Sequence, residues 1–167
     1  MEPTTLKELS RDAIPRALEK AERYRFLNDP LGAESICLDI LAVDPTNQRA
    51  LVTLLLAMTD RFGHAYRMTD MQPAEVVARL DGDYERAYYA GIVAERQAMA
   101  ILDRKTPESA FLAHDLLCDA MIHFEEAENL RPPGNDDALL RWNTCARMMN
   151  SAGVHPREYE PAEHPLE

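Results

Sequence analysis

The run His114-Asp115-Leu116-Leu117-Cys118-Asp119-Ala120-Met121-Ile122-His123-Phe124-Glu125-Glu126 gathers more metal-ligating side chains than any other stretch of the chain. Residues four apart share a helix face, so His114 with Cys118, and Asp119 with His123, form two pairs able to grip a cation. A single helix supplies all four, however, and the two pairs point in different directions. The preceding helix offers only Glu85 and Glu95, and neither belongs to a Glu-x-x-His pair of the di-iron type. The expectation is therefore an acidic, solvated face bearing two histidines. A metal- or small-molecule site built from His114, Cys118, Asp119 and His123 stands as the alternative, and no cofactor is expected.

Other chemistry is sparse. The chain has no nucleophile elbow, no phosphate-cradling glycine loop and no HExxH segment. His64, beside Gly63, lies in the least regular part of the chain, as a pocket residue or as an ordinary loop residue. His155 and His164 fall in a proline-rich tail and read as inert. Cys37, Cys118 and Cys145 are odd in number and widely spaced, each within an apolar helical run. They read as small buried hydrophobes, without disulfides. Catalysis is not expected.

The elements that must position these residues are helices. At 167 residues with 46% hydrophobic content and only six glycines, the chain is long enough and apolar enough to fold around a core as one domain. β-branched residues nowhere alternate over a strand's length. A net charge of −11 repels phosphate backbones and anionic membranes, so nucleic-acid and membrane partners are not expected. No apolar run approaches the roughly 20 residues that span a bilayer. The start, Met1-Glu2-Pro3-Thr4-Thr5, lacks the order of a signal peptide, and a cytoplasmic location is the expectation.

Punctuation divides the chain into about seven helices. Pro15 suits the first turn of a helix reaching Asn28, with Ile14, Ala17, Ala21 and Tyr24 on one face. Asp29-Pro30 caps and opens a second helix to Val43, burying Ala33, Ile36, Cys37, Ile40 and Leu41. Asp44-Pro45 ends it, and Thr46 or Asn47 caps a third carrying Leu51, Leu54, Leu55 and Met58. From Arg61 to Asp83 regularity decays, leaving a loop and a short helix from Pro73 to Leu80. Asp83 is expected to cap a fifth helix through Leu102. Thr106-Pro107-Glu108 opens a sixth to Leu130, with Ala113, Leu117, Ala120, Phe124 and Ala127 aligned. Asn135 caps a seventh carrying Leu139, Trp142, Ala146 and Met149. Residues 1–13 form an N-terminal segment, 14–151 the helical domain, and 152–167 an acidic, proline-rich, disordered tail.

Two segments share a pattern. Ala33, Cys37, Ile40 and Pro45 have the same spacing as Ala120, Phe124, Ala127 and Pro132, and each proline is followed by a new apolar helix. This resembles the second half of a tetratricopeptide repeat, a helix-turn-helix unit of about 34 residues. Ala21 and Tyr24 stand where the family places a small and an aromatic residue, and Gly91 repeats the part of Ala21 in the fifth helix. The family's early tryptophan and leucine are replaced by Ala17 and Lys20. The spacing from Pro45 to Pro132 is not a multiple of the period, so the middle unit is expected to be enlarged or irregular. The resemblance implies an all-α, solenoid-like stack of antiparallel helical hairpins over about Ile14 to Asn150. Stacking is required because neither helix of a hairpin buries its apolar face alone.

In such stacks the first helix of each hairpin lines a concave side. By that resemblance Leu18, Glu22, Arg25 and Phe26 would face a groove from the first helix. Tyr88, Ile92, Glu95 and Arg96 would face it from the fifth. Arginines beside aromatic residues are common makings of a binding hot spot. The expected function is thus a non-enzymatic adaptor holding a peptide or helix of a protein partner. Leu18 and Glu22 replace the lysine and asparagine that chaperone-tail binders of the family use, so chaperone tails are not expected partners. A homodimer seam through Trp142 and Met148 is a variant of the same reading.

Overall fold

Each expected start and stop has a backbone reason, and the computed structural model, which describes residues 4–151 and 153–157, realises most of them. After one 3-10 turn (Arg11–Ala13) come α1 (Ile14–Phe26), α2 (Pro30–Val43), α3 (Gln48–Asp60), α4 (Pro73–Ala78), α5 (Asp83–Leu102), α6 (Ser109–Leu130) and α7 (Asp137–Met149). The described residues form seven α-helices and no strand. None of these helices is long and apolar enough to cross a membrane.

Local chemistry sets the ends. The Asp29 carboxylate accepts the Gly32 amide at 2.9 Å, and Pro30 occupies the first turn of α2, where its missing N–H costs nothing. At the α2–α3 joint Asn47, rather than Thr46, accepts the Ala50 amide at 3.0 Å, while its own amide donates to Asp44 at 3.0 Å. Three other starts differ from expectation, the first at α7, where Asp136 rather than Asn135 precedes the helix and Asn135 accepts the Asp137 amide at 3.0 Å. Gly82 precedes α5 and Asp83 enters its first turn, where a carboxylate complements the helix dipole. Helix α6 starts at Ser109, later than Thr106-Pro107, because the Ser109 hydroxyl donates to the Ile101 carbonyl at 2.8 Å and accepts the Thr106 amide.

Consecutive helices pack in pairs, α1 on α2, α2 on α3, α5 on α6 and α6 on α7. Two apolar clusters result. The first unites Leu18, Ala21, Cys37, Ile40, Leu51, Leu54 and Leu55 with Val76 and Leu80 of the α4 region. The second unites Ile92, Ala98, Leu117, Phe124, Ala127 and Cys145. Tyr89 and Val93 of α5 reach the first cluster and Leu56 of α3 reaches the second, so α3 and α5 form the seam between the halves. The face expected on α6 is wholly buried, whereas α7 is rotated slightly, burying Ala138 and Cys145 instead of Leu139 and Ala146. The disordered tail expected from residue 152 falls largely outside the described residues. Of those described, Val154 is buried in the second cluster and the Arg157 guanidinium lies 4.6 Å from the centroid of the Phe111 ring.

Gly91 lets α5 meet α6 closely. A Cβ there would lie 2.6 to 2.9 Å from three atoms of the Phe124 ring, which is fully buried and has no room to yield. Gly91→Val is expected to lower stability by about 1–3 kcal/mol through overpacking, measured as the urea midpoint. Adding Phe124→Leu should recover part of that loss, and an unchanged midpoint for the single variant would contradict the close-approach account.

Candidate functional site

The residues expected to form a groove are mostly engaged within the fold, their charged members with partners on α3 and α7. Leu18 and Ile92 are buried in the two clusters and present no surface, a correction to their groove assignment that follows from the rotation of α1 and α5 onto their partners. Glu22 of α1 receives both Arg49 nitrogens of α3 at 2.6 Å. Arg25 of α1 donates to Asp60 of α3 at 2.6 Å, and Arg96 of α5 donates to the same carboxylate at 2.5 Å. Arg96 also reaches Thr59 Oγ1 at 2.7 Å and the Leu56 carbonyl at 3.3 Å. Glu95 of α5 accepts Arg141 of α7 at 3.4 Å. Tyr88 stacks on Tyr84 and meets the Phe124 ring at a tilt. The four helices α1, α3, α5 and α7 are therefore stitched by ion pairs, and only Phe26, 84% exposed, remains open.

Trp142 and Met148 are also engaged within the chain. The indole N–H donates to Glu125 at 3.0 Å, and both side chains pack on the second cluster. The α6 histidines stay apart. His114 Nδ1 lies 3.9 Å from Cys118 Sγ, while His123 lines a shallow hollow with Asp83 and Glu126. Asp119 is exposed, and among the described residues no three histidine, cysteine or carboxylate side chains converge as a metal-holding group. Burial raises the Cys118 thiol above its ordinary value, with Asp115 and Asp119 adding to the effect. Burial likewise pushes the Cys37 and Cys145 thiols up to about 12, with Glu22 and Glu34 assisting at Cys37 and Glu95 at Cys145. All three are free cysteines, and their thiols are protonated at neutral pH.

A cavity of about 420 Å³ lies elsewhere, at the junction of the halves. One wall is the C-terminal end of α3 and the loop after it, contributing Met58, Arg61, Phe62, His64, Tyr66 and Arg67. The opposite wall is the C-terminal end of α5, with Gln97 and Ile101, and the turn after it, with Arg104. Glu34 of α2 and Leu116 of α6 close the two ends. Helices α2 and α6 are the long second helices of their hairpins, whereas α3 is followed by a loop and the six-residue α4. The cavity occupies the slot that this short helix leaves open.

Glu34 organises the loop. Its carboxylate, almost fully buried, accepts the Met68 amide at 3.1 Å and lies 3.9 Å from Arg61, which itself donates to the Tyr66 carbonyl. Arg61 is thus committed to the loop. Arg67 and Arg104 are exposed, and among the described residues neither has a carboxylate within ion-pair distance. Three arginines against one glutamate make this a positive site on a chain of net charge −11. Only His64 was legible as a pocket residue in advance, since neither arginine carries a local motif. Comparison of the chain with protein-family models, with curated proteins and with solved structures yields no match.

Two buried carboxylates generate testable behaviour. Glu95 is 1% exposed, and its Oε2 has no hydrogen-bond partner. Burial raises its carboxyl above the ordinary value of 4.5 despite the opposing pull of Arg141 and Arg96. The folded value lies above the unfolded one, so this group's stabilising contribution is complete below pH 4.5 and is lost as pH rises through the folded value. Glu95→Gln is expected to raise the thermal midpoint at pH 7, with the gain shrinking towards zero below pH 4.5. A destabilised variant at pH 7 would mean that the ionised form is the favoured one. At the cavity, Glu34→Ala removes the acceptor of the Met68 amide. Amide exchange at Met68 should then accelerate about tenfold, the equivalent of one lost hydrogen bond, while the helices keep their protection.

Proposed function

We propose that this chain is a non-enzymatic protein-interaction module of tetratricopeptide-like build that receives a segment of a partner protein in the arginine-bearing cleft between its halves. The cleft itself carries the reading. It combines apolar side chains with guanidinium groups that lack carboxylate partners among the described residues, the composition of an interaction centre. The repeat architecture lends support. Helices α1 and α3 are both 13 residues long, and their starts at Ile14 and Gln48 are separated by the family's period of about 34 residues. Small residues at close approaches, Ala21 and Gly91, also fit that family's packing.

The receiving surface in this reading is not the groove read from the sequence. Arg25 and Arg96 serve the α1–α3–α5 seam, and reversing their charge would loosen the seam rather than report on a partner. The volume also suits a small anionic molecule, which native mass spectrometry of the purified chain would reveal as a bound mass.

The decisive variants are Arg67→Glu with Arg104→Glu, both exposed and outside the seam. Photo-crosslinking in lysate from a probe at Tyr66 should capture a defined set of proteins with the wild type. The charge-reversed chain should lose that set while its circular dichroism is unchanged. An identical captured set would reject the cleft as the receiving surface.

A further inference from the structure

We infer that the occupant of the cleft is a short amphipathic helix with an apolar stripe and an acidic flank. This deepens the interaction reading and rests on it. Elsewhere in the chain the helices alternate, with α2 lying beyond α1 and α3, and α6 beyond α5 and α7. Between α2 and α6 that alternation calls for another long helix alongside α3 and α5. The chain supplies six residues of α4 there, which pack on α3 and α5. What is left is a slot about 420 Å³ in volume, walled on one side by the loop between α3 and α4 and on the other by the end of α5, with Glu34 of α2 and Leu116 of α6 also in its lining.

The lining states what such a helix must carry. Met58, Ile101 and Leu116 come from three different helices and give the lining apolar contacts, which side chains at the i, i+3, i+4 spacing of one helix face could meet. Arg67 on the loop and Arg104 at the end of α5 stand on opposite walls, and among the described residues neither is paired. Carboxylates on the flanks of the incoming helix would complete both. Glu34 does not oppose this, because Arg61 and the Met68 amide already face its carboxylate. An internal segment meets every requirement, and no free chain terminus is needed. The rest of the molecule is acidic, so attraction of an acidic helix to this place is local to the arginines and sensitive to salt.

The test uses the full chain and synthetic amidated peptides of about 12 residues, close to the shortest length that holds helix in water. The probe carries leucines at i, i+3, i+4 and i+7 among glutamates and alanines. One control replaces glutamate by glutamine, and a second keeps the composition but alternates the leucines. Fluorescence anisotropy should show the probe binding at least about tenfold more tightly than either control, roughly 1.4 kcal/mol. Arg67→Gln with Arg104→Gln should erase the preference over the glutamine peptide, and raising salt to about 0.5 M should shrink it in the wild type. Equal affinity for the glutamine control would overturn the acidic requirement, and equal affinity for the alternating control would overturn the helix. Absence of binding by all three peptides would overturn the inference outright. The interaction reading would survive any of these results if the Tyr66 crosslinks still depended on Arg67 and Arg104.

Discussion

The carboxylate of Asp60 joins three helices at the point where the two halves of the molecule meet. It stands at the C-terminal end of α3, the negative end of the helix dipole, where an acidic side chain by itself is unfavourable. Two guanidinium groups reverse that disadvantage, Arg25 from α1 at 2.6 Å and Arg96 from α5 at 2.5 Å. Both pairs are largely shielded, with Arg25 and Arg96 side chains 20% and 21% exposed. Charge-assisted bonds of this kind are about twice as strong as neutral ones, whereas a fully exposed pair contributes little. Leu56, Tyr89 and Val93 add apolar contact across the seam, and α4 packs on both α3 and α5, so the polar clamp works beside apolar packing.

The cleft inherits its shape from that seam. Its long walls are the ends of α3 and α5, the helices that Asp60 and Arg96 bind together. Arg96 turns its guanidinium towards α3, donating to Thr59 and to the Leu56 carbonyl, while Arg104, in the turn just after α5, lines the cavity. Two arginines near the end of α5 thus divide the work. The first keeps the walls in register, and the second gives the cavity its charge. Glu34 closes the arrangement by holding the loop through one backbone amide, a use of a buried carboxylate that only a satisfied partner set makes tolerable.

Much of the fold was readable from residues alone. The caps at Asp29 and Asn47, the breaks at Pro45 and Pro132-Pro133, and the buried face of α6 follow from local rules about amide hydrogens, proline and periodicity. Where the reading missed, a tertiary contact had overruled a local preference. The start of α6 yields to the Ser109–Ile101 hydrogen bond, and α7 turns to bury Cys145 against α6 and α5. The groove residues were read on α1 and α5, where the structure engages Arg25 and Arg96 with Asp60 of α3. Arg25 and Arg96 looked like groove residues because their partner, Asp60, is 35 and 36 positions away and leaves no mark at helical spacing.

Composition and periodicity by themselves determined that this chain would be all-helical and irregular between Arg61 and Asp83. These are consequences of short-range preference and of which side chains avoid water, and both are written residue by residue. The tertiary structure alone decided which charges would be consumed in pairing and which would remain. Ionic attraction depends on distance in space, and helices far apart in the chain had to be stacked before Arg25 and Arg96 could meet Asp60. The same stacking left Arg67 and Arg104 beside an open slot, and no reading along the chain fixes such a meeting.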